Sequence, residues 1–204
     1  MKNKDFMKPL VREQWISLLF EKLETFPEGK HTIAIDGRCA SGKTTFANYL
    51  AERLQASVIH MDDFFLPREL RTADRLKQLG GNVHYERFLK EVVPNLNGDM
   101  PFSYQKFDCS KMELGAIFNI QPCRFTIVEG AYSCHPLLGD YMSMRVFMDV
   151  DGRVQQERIE RRNGLEKLAV FREKWIPMEE AYFAEFGIAE KADIVLSEKM
   201  PEVI

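Results

Sequence analysis

Residues 37–44 read Gly-Arg-Cys-Ala-Ser-Gly-Lys-Thr, and this segment constrains the fold more than any other part of the sequence. Its two glycines and the Lys-Thr pair that follows them match GxxxxGK[ST], the pattern of a phosphate-binding loop. The apolar run His31–Asp36 comes directly before it, and a helix is predicted from about Lys43 to Leu54. This strand–loop–helix order is the one that the pattern requires, because the loop has to end at the N-terminus of a helix.

The residue types of this loop suit a bound triphosphate. Gly37 and Gly42 allow the backbone to curl so that successive N–H groups converge on an anion. The Lys43 ammonium can reach the β- and γ-phosphates, and the Thr44 hydroxyl can bind Mg²⁺. A glycine turn that only ends a strand would not need Lys-Thr after its second glycine, so we predict that the segment binds ATP and Mg²⁺. The predicted nucleotide-binding residues are Gly37, Arg38, Cys39, Ala40, Ser41, Gly42, Lys43, Thr44 and Thr45.

Four further short apolar runs alternate with stretches of helical character along the chain. They are Ser57–Met61, Arg124–Glu129, Arg145–Asp149 and Asp193–Leu196. Strands that alternate with helices are typical of βαβ units, in which helices cover both faces of a parallel sheet. Ligands of such sheets bind at the carboxyl ends of the strands.

The remaining segments complete a single predicted domain that spans residues 1–204. Apolar residues at helical spacing predict an N-terminal helix at 8–26. Further helices are expected at 67–79 and 85–96, and a helix dense in charge at about 152–164. Residues 166–186 are expected to form another helix or a pair of helices, interrupted near Pro177. Between about 98 and 122 the helical period is lost, and scattered Pro, Gly and aromatic residues favour a small hairpin-like insertion.

Composition argues against several classes of partner. The formal net charge of the 204 residues is -3, which gives no broad basic surface for nucleic acid. No apolar run approaches the ~20 residues that span a bilayer, and the N-terminus lacks the apolar core of an export signal. The four cysteines form no CxxC pair and no zinc-ligand spacing, so they are expected to be free thiols. We therefore expect a cytoplasmic protein with a small-molecule substrate, and the sequence leaves its oligomeric state open, a homo-oligomer included.

Acidic residues follow two of the predicted strands. Asp62 and Asp63 come directly after the run that ends at Met61, and Glu129 emerges beside Gly130 at the end of another. A carboxylate at these positions can accept the proton of an attacking hydroxyl or hold the Mg²⁺ shell. An acid at such a place can also cap the next helix or face solvent. Asp36, which precedes the loop, could pair with Lys43 or polarise substrate.

Arginines cluster in the predicted helix at about 152–164. Arg158, Arg161 and Arg162 lie three and four residues apart, so two of them can share one helical face. A mobile helix that brings arginines over the phosphates would neutralise charge and exclude water. The interleaved Glu157 and Glu160 are equally typical of a solvated helix surface.

Taken together, these residues resemble the uridine kinase family, within the wider group that includes pantothenate kinase and phosphoribulokinase. The matching segments are 37–44, Met61–Phe65, Val128–Tyr132 and 148–164. The resemblance implies a P-loop NTPase fold, which is a three-layer α/β/α sandwich with a five-stranded parallel sheet. It also implies that the insertion at about 98–122 helps to form the pocket for the phosphate acceptor.

The resemblance implies roles for particular residues. Asp62 matches the catalytic base, and Glu129 matches an acid of the Mg²⁺ shell, to which Thr44 and Asp62 would also contribute. Arg158 and Arg162 match arginines that clamp the phosphates beside Lys43. The candidate acceptor contacts are Asp36, Asp63, His84, Tyr104, Phe107 and Asp108. Packing of a small insertion is the alternative role for His84 and the three residues of the insertion.

The implied activity is transfer of the γ-phosphate of ATP to a hydroxyl of a small molecule, with a nucleoside such as uridine or cytidine as the first candidate. The acceptor could instead be pantothenate-like, a sugar phosphate or a nucleoside monophosphate. For a phosphorylated acceptor Arg68, Arg71 and Arg75 could bind the anion, or they could form a solvated helix face. A nucleotide-binding regulatory module is a further alternative, although the sequence has no NKxD element of the kind with which GTPase switches bind guanine.

Overall fold

The computed structural model of the chain describes residues 9–197. Its helices are α1 (Pro9–Glu24), α2 (Lys43–Leu54), α3 (Ala73–Lys77), α4 (Tyr85–Glu91), α5 (Gly152–Asn163), α6 (Leu165–Val170) and α7 (Ile176–Phe186). Its strands are β1 (His31–Gly37), β2 (Ser57–His60), β3 (Phe102–Asp108), β4 (Glu113–Ile120), β5 (Phe125–Glu129), β6 (Met144–Asp149) and β7 (Ile194–Ser197). The first residue of the predicted N-terminal helix, Lys8, lies outside this range. Across residues 9–197, no helix has both the length and the apolar character that a membrane span needs.

Five of the strands form one parallel sheet in the order β2-β5-β1-β6-β7. The predicted α/β fold with a five-stranded parallel sheet is therefore confirmed. Strand β1 lies at the centre, so the loop that follows it leaves the middle of the carboxyl edge. The segment after β2 leaves the same edge two strands away, which is about 10 Å at the usual spacing of neighbouring strands. The segment after β6 leaves it on the opposite side of β1.

Two hydrophobic cores cover the two faces of the sheet, because successive strand residues point to opposite faces. On β5, Ile127 packs into the core that contains Trp15 of α1 and Phe46 of α2. The next residue, Val128, packs into the other core, with Tyr182 of α7. Each large apolar side chain that is fully buried in this way contributes about 1.5–3 kcal/mol to folding. The result is the three-layer sandwich that the resemblance implied.

The insertion is a β-hairpin, in which β3 and β4 pair antiparallel. Tyr104 stacks on Phe118 of the partner strand, with 5.7 Å between ring centroids. Tyr104 also packs at 5.0 Å from Phe64, which lies in the 3₁₀ turn Met61–Phe64 after β2. The hairpin is thereby fixed against the segment that carries the acidic pair.

Two predicted helices are shorter in the structure than the sequence pattern indicated. Residues 67–79 form a 3₁₀ turn and the five-residue α3, because Thr72 accepts a hydrogen bond from Arg75 N at 3.2 Å and so starts a new helix. The helix expected at 85–96 ends at Glu91, shortly before Pro94, which has no N–H to continue it. By contrast, residues 165–186 run on through a π-helical turn at Phe171–Trp175.

Candidate active site

The loop after β1 is shaped by glycines whose positions tolerate no side chain. Gly37 has φ 130°, and a Cβ there would lie 2.2 Å from the carbonyl oxygen of Met148 on the neighbouring strand. Gly42 caps α2 in the left-handed region and offers no side chain to the first turn of that helix. The first-turn N–H groups of α2 are therefore open to an anion, and the helix dipole favours its charge.

The Lys43 side chain lies across this loop and is almost fully buried. Its Nζ donates to the carbonyl oxygens of Gly37 at 2.6 Å and Arg38 at 2.8 Å. Within residues 9–197, no carboxylate lies within ion-pair distance of this ammonium. A buried ammonium whose direct hydrogen bonds go only to carbonyl oxygens can still pair with an anionic ligand, so the geometry fits the phosphates of a nucleotide.

Glu129, Thr44 and His60 form a hydrogen-bonded group beside the loop. The Thr44 hydroxyl donates to Glu129 Oε1 at 3.0 Å, and His60 Nδ1 lies 2.5 Å from the same oxygen. The bond to Glu129 raises the pKa of His60, because the carboxylate stabilises the imidazolium. Glu129 is 4% exposed, which keeps its orientation fixed.

The oxygens of this group match the preference of Mg²⁺. Hydroxyl and carboxylate oxygens are the hard ligands that it takes, and in kinase sites it binds one or two of them together with phosphates and water. Residues 9–197 contain no group of three or more His, Cys, Asp and Glu side chains arranged for a metal ion. Thr44 and Glu129, with Asp62 nearby, are therefore the residues that would hold Mg²⁺.

The adjacent acids Asp62 and Asp63 have opposite environments. Asp62 projects into a large cavity in front of the loop. Asp63 is fully buried: its Oδ2 accepts a hydrogen bond from the Tyr104 hydroxyl at 2.9 Å, and its Oδ1 lies 3.1 Å from Lys106 Nζ. Asp62 can therefore meet a ligand, whereas Asp63 anchors the hairpin.

The pKa of Asp62 is raised above the usual range of an aspartate. The main cause is partial desolvation, since protein atoms crowd the carboxylate although the cavity leaves it open to small molecules. The negative charge of Glu129 raises the pKa further, and the positive charge of Lys43 opposes the shift. A raised pKa makes the ionised carboxylate a better proton acceptor, as a general base requires.

The cavity has a volume of about 910 Å³. This is near the upper end of the range for small-molecule sites, so it has room for a nucleotide and a second molecule together. The loop and α2 form one wall, with Lys43 and Thr44. The segment after β2 and the turn of the hairpin form another, and α5 with the π-helical turn closes the remaining side.

The arginine helix α5 is docked on the loop in this structure. Arg158 is 8% exposed and donates from Nη1 to Ala40 O at 3.2 Å. Gln155 Nε2 donates to Cys39 O at 3.0 Å. Arg158 and Arg162 both line the cavity, and so does Trp175 of the π-helical turn.

Several predicted site residues have contacts that point to structural roles. Asp36 is fully buried and accepts hydrogen bonds from the backbone N–H groups of Gly37, Tyr132 and Cys134 and from the Tyr182 hydroxyl. Burial raises its pKa. With its oxygens engaged by the protein, Asp36 is placed to hold the loop after β1 against β5 and α7 instead of contacting substrate.

Other members of the predicted nucleotide and acceptor sets also lie away from the cavity. Arg38 points from the loop to Asp149, with its Nε 2.6 Å from Oδ1, and it also pairs with Glu180. Asp108 caps the hairpin turn by accepting from Ser110 N at 2.8 Å. Of the predicted site residues, those that do not line the cavity are Asp36, Gly37, Arg38, Ser41, Asp63, His84, Tyr104, Phe107 and Asp108. The predicted residues that do line it are Cys39, Ala40, Gly42, Lys43, Thr44, Thr45, Asp62, Glu129, Arg158 and Arg162.

The structure adds to the cavity polar residues to which the sequence analysis gave no role. Asn82, Tyr132 and Glu179 line it, and each is at least nine-tenths buried. Tyr132 has φ 70°, a backbone conformation that costs a residue with a side chain on the order of 1–3 kcal/mol and is often found at functional sites. Asn82 follows Gly80-Gly81, and Tyr132 is the last residue of the segment Val128–Tyr132 that carries the resemblance, so both lay next to a sequence signal although neither was given a role.

Comparison with known proteins places this fold among P-loop kinases. No protein-family model matches the sequence, and no curated protein matches it as a relative. A protein from Bacillus stearothermophilus, described as a possible uridine kinase, has 18% identity and a TM-score of 0.70, and the match covers 90% of this chain and 98% of that one. A proposed fructose transport system kinase from Silicibacter sp. TM1040 has 23% identity and a TM-score of 0.68, with the same coverage. YFH7 from Saccharomyces cerevisiae, a proposed P-loop kinase with a circular permutation, has 12% identity and a TM-score of 0.58, and the match covers 93% of this chain and 99% of that one.

At these identities the similarities show the fold alone. The chain thus has the fold of the uridine kinase-like P-loop kinases over nine-tenths of its length, in agreement with the resemblance that the motifs carry.

Proposed function

We propose that this protein transfers the γ-phosphate of ATP to a hydroxyl group of a small molecule. One observation carries the proposal: a single cavity brings together Lys43 and Thr44 of the loop, Glu129 and the carboxylate of Asp62. The fold shared with P-loop kinases supports it. A regulatory module that only binds a nucleotide would not need a carboxylate of raised pKa in the same cavity.

Each residue has a chemical part in this reaction. Asp62 accepts the proton of the acceptor hydroxyl, whose oxygen forms the new bond to the γ-phosphorus while the bond from that phosphorus to the β–γ bridging oxygen breaks. Lys43, Arg158 and Arg162 stabilise the charge on the phosphoryl oxygens and hold them in line with the hydroxyl. Thr44 and Glu129, with Asp62, would hold Mg²⁺, which when bound neutralises the phosphates.

A nucleoside such as uridine or cytidine is the acceptor that the resemblance implies. Its predicted contacts His84, Tyr104, Phe107 and Asp108 lie outside the lining of the cavity. The cavity instead presents Arg71, Asn82 and Tyr132 beyond Asp62. These contacts favour a second candidate acceptor, a hydroxylated molecule that is itself anionic.

The test is ADP formation by purified protein with ATP and Mg²⁺ in the presence of candidate acceptors. We expect at least one hydroxylated acceptor to accelerate ADP formation, and Lys43→Ala to reduce the accelerated rate by about 10²- to 10³-fold. Slow hydrolysis that no acceptor changes, together with tight ATP binding, would contradict the proposal and favour a nucleotide-binding module.

A further inference from the structure

We propose that the acceptor carries an anionic group, a phosphate ester or a carboxylate, that Arg71 binds at the end of the cavity opposite the nucleotide loop. This inference rests on the proposed kinase activity and narrows its substrate class. It is carried by the environment of Arg71 and by two buried polar groups that line the same cavity.

The three arginines of the segment after β2 differ in what they contact. Arg75 is engaged in the fold: its Nη1 lies 2.9 Å from Glu86 Oε1, and its Nη2 donates to Val83 O at 3.1 Å. Arg68 is exposed and lies outside the cavity lining. Arg71 alone of the three lines the cavity.

Arg71 is oriented by the protein but keeps most of its hydrogen-bonding capacity. Its Nε donates to the backbone oxygen of Leu66 at 3.1 Å, which fixes the guanidinium. Within residues 9–197, no carboxylate lies within ion-pair distance of Arg71, and its two terminal nitrogens have no protein acceptor. Two parallel N–H donors on a fixed guanidinium match the geometry of a phosphate or carboxylate.

Arg71 is placed for the acceptor rather than for the nucleotide. The segment that carries Arg71 leaves the sheet after β2, two strands from the loop after β1. Arg158 and Arg162 of α5 follow β6, on the other side of β1. The turn of the hairpin brings Cys109 to the same wall. Burial is the main cause that raises the pKa of the Cys109 thiol. The positive charge of Arg71 lowers this pKa, and the negative charge of Asp62 raises it. Arg71 and Asp62 therefore both lie near this turn.

Two buried polar groups in the lining of the cavity lack a partner in the protein. Asn82 Oδ1 and the Tyr132 hydroxyl find no hydrogen-bond partner among residues 9–197, and the two side chains are 6% and 4% exposed. Buried polar atoms are normally paired, because an unpaired one costs about 1–3 kcal/mol. A ligand with several hydroxyl groups would satisfy both atoms. The cavity thus suits a hydroxylated anion: Arg71 binds the charge, and Asn82 and Tyr132 bind hydroxyls.

The first experiment compares acceptors in matched pairs that differ in one anionic group: ribose with ribose 5-phosphate, uridine with its 5′-monophosphate, and panthenol with pantothenate. The phosphate pairs and the carboxylate pair distinguish the two sources of the anion. We expect the anionic member of one pair to have the higher kcat/KM. In Arg71→Ala the ratio of the two kcat/KM values should fall about 10- to 150-fold, the equivalent of a lost charge-assisted hydrogen bond.

Arg68→Ala is the matched control, because Arg68 lies three residues away in the same segment and faces solvent. We expect it to change the ratio by no more than about twofold, as for other surface substitutions. Higher kcat/KM for the neutral member of every active pair, or an unchanged ratio in Arg71→Ala, would overturn the inference while leaving the kinase proposal intact.

Direct binding decides the inference even where no pair supports turnover. Calorimetric titration of the six compounds into protein saturated with a non-hydrolysable ATP analogue and Mg²⁺ should show tighter binding of an anionic member, and Arg71→Ala should abolish the difference. Absence of any such preference would refute the anion site. Tighter binding of an anionic compound that the protein does not phosphorylate would instead support the anion site and count against the proposed phosphoryl transfer.

Discussion

The adjacent acids Asp62 and Asp63 provide the sharpest test of the proposed mechanism, because the same substitution should have different effects at the two positions. Asp62→Asn removes the proton acceptor and keeps the size of the side chain. Loss of a general base lowers turnover by about 10²- to 10⁴-fold. The other lining carboxylates near the loop are engaged, Glu129 by Thr44 and His60 and Glu179 by Cys39 N at 2.8 Å. No substitute base is therefore at hand, and we expect a loss of about 10³-fold or more, the upper half of that range.

Asp63→Asn should act on stability instead. It weakens the charge-assisted bond from Tyr104, which is worth about 1.5–3 kcal/mol, and the pair with the half-exposed Lys106, which is worth less than about 1 kcal/mol. For a chain of this length the two losses together correspond to a drop in Tm of roughly 3–16 °C. Turnover per folded molecule should change by no more than a few-fold, since Asp63 does not line the cavity.

The assays are acceptor-dependent ADP formation, thermal unfolding, and titration of ATP into each variant. ATP affinity of Asp62→Asn should be unchanged or higher, because the substitution removes a negative charge near the triphosphate site. In the unaltered protein kcat/KM should fall as the pH falls through the pKa of Asp62, since only the ionised form accepts a proton. The raised pKa places this fall at a higher pH than an ordinary aspartate would. Full turnover by Asp62→Asn, or loss of turnover in folded Asp63→Asn, would refute this division of roles.

Three further predictions concern the loop, the Mg²⁺ ligands and the buried aspartate. Lys43→Ala should lower kcat by about 10²- to 10³-fold, because it removes one preorganised charge that stabilises the transferred phosphoryl group. An unchanged single-turnover rate would exclude this role of Lys43. Glu129→Gln should raise the Mg²⁺ concentration needed for half-maximal activity by at least about tenfold, and an unchanged Mg²⁺ titration would place the ion elsewhere. Tyr182→Phe removes the 2.7 Å hydrogen bond from the Tyr182 hydroxyl to Asp36. It should lower the free energy of unfolding, measured by urea denaturation, by about 1.5–3 kcal/mol. Loss of ATP binding without a loss of stability would show that Asp36 serves the site directly.

Local patterns were sufficient for the architecture. The β-branched runs gave the five strands within about one residue at each end, because strands buried on both faces are continuous apolar segments. The motif at 37–44 located the nucleotide loop, because its glycines meet a backbone requirement that is local: Gly37 needs φ 130° and Gly42 caps a helix. The helix at 67–79 was predicted wrongly, because a cap at Thr72 competes with the periodic pattern around it.

The acceptor side of the cavity depended on tertiary structure. The sequence alone could not separate Asp62 from Asp63, since the difference between them is set by Tyr104 and Lys106, which approach from a hairpin about 40 residues away. Nor could it show which of three similar arginines lines the cavity. In the folded chain Arg75 is bound by Glu86 and Arg71 is not. The sequence by itself thus determined the five strands and the loop after β1, because each depends on neighbouring residues. Only the tertiary structure decided which side chains meet the acceptor, because that depends on contacts between segments distant in sequence.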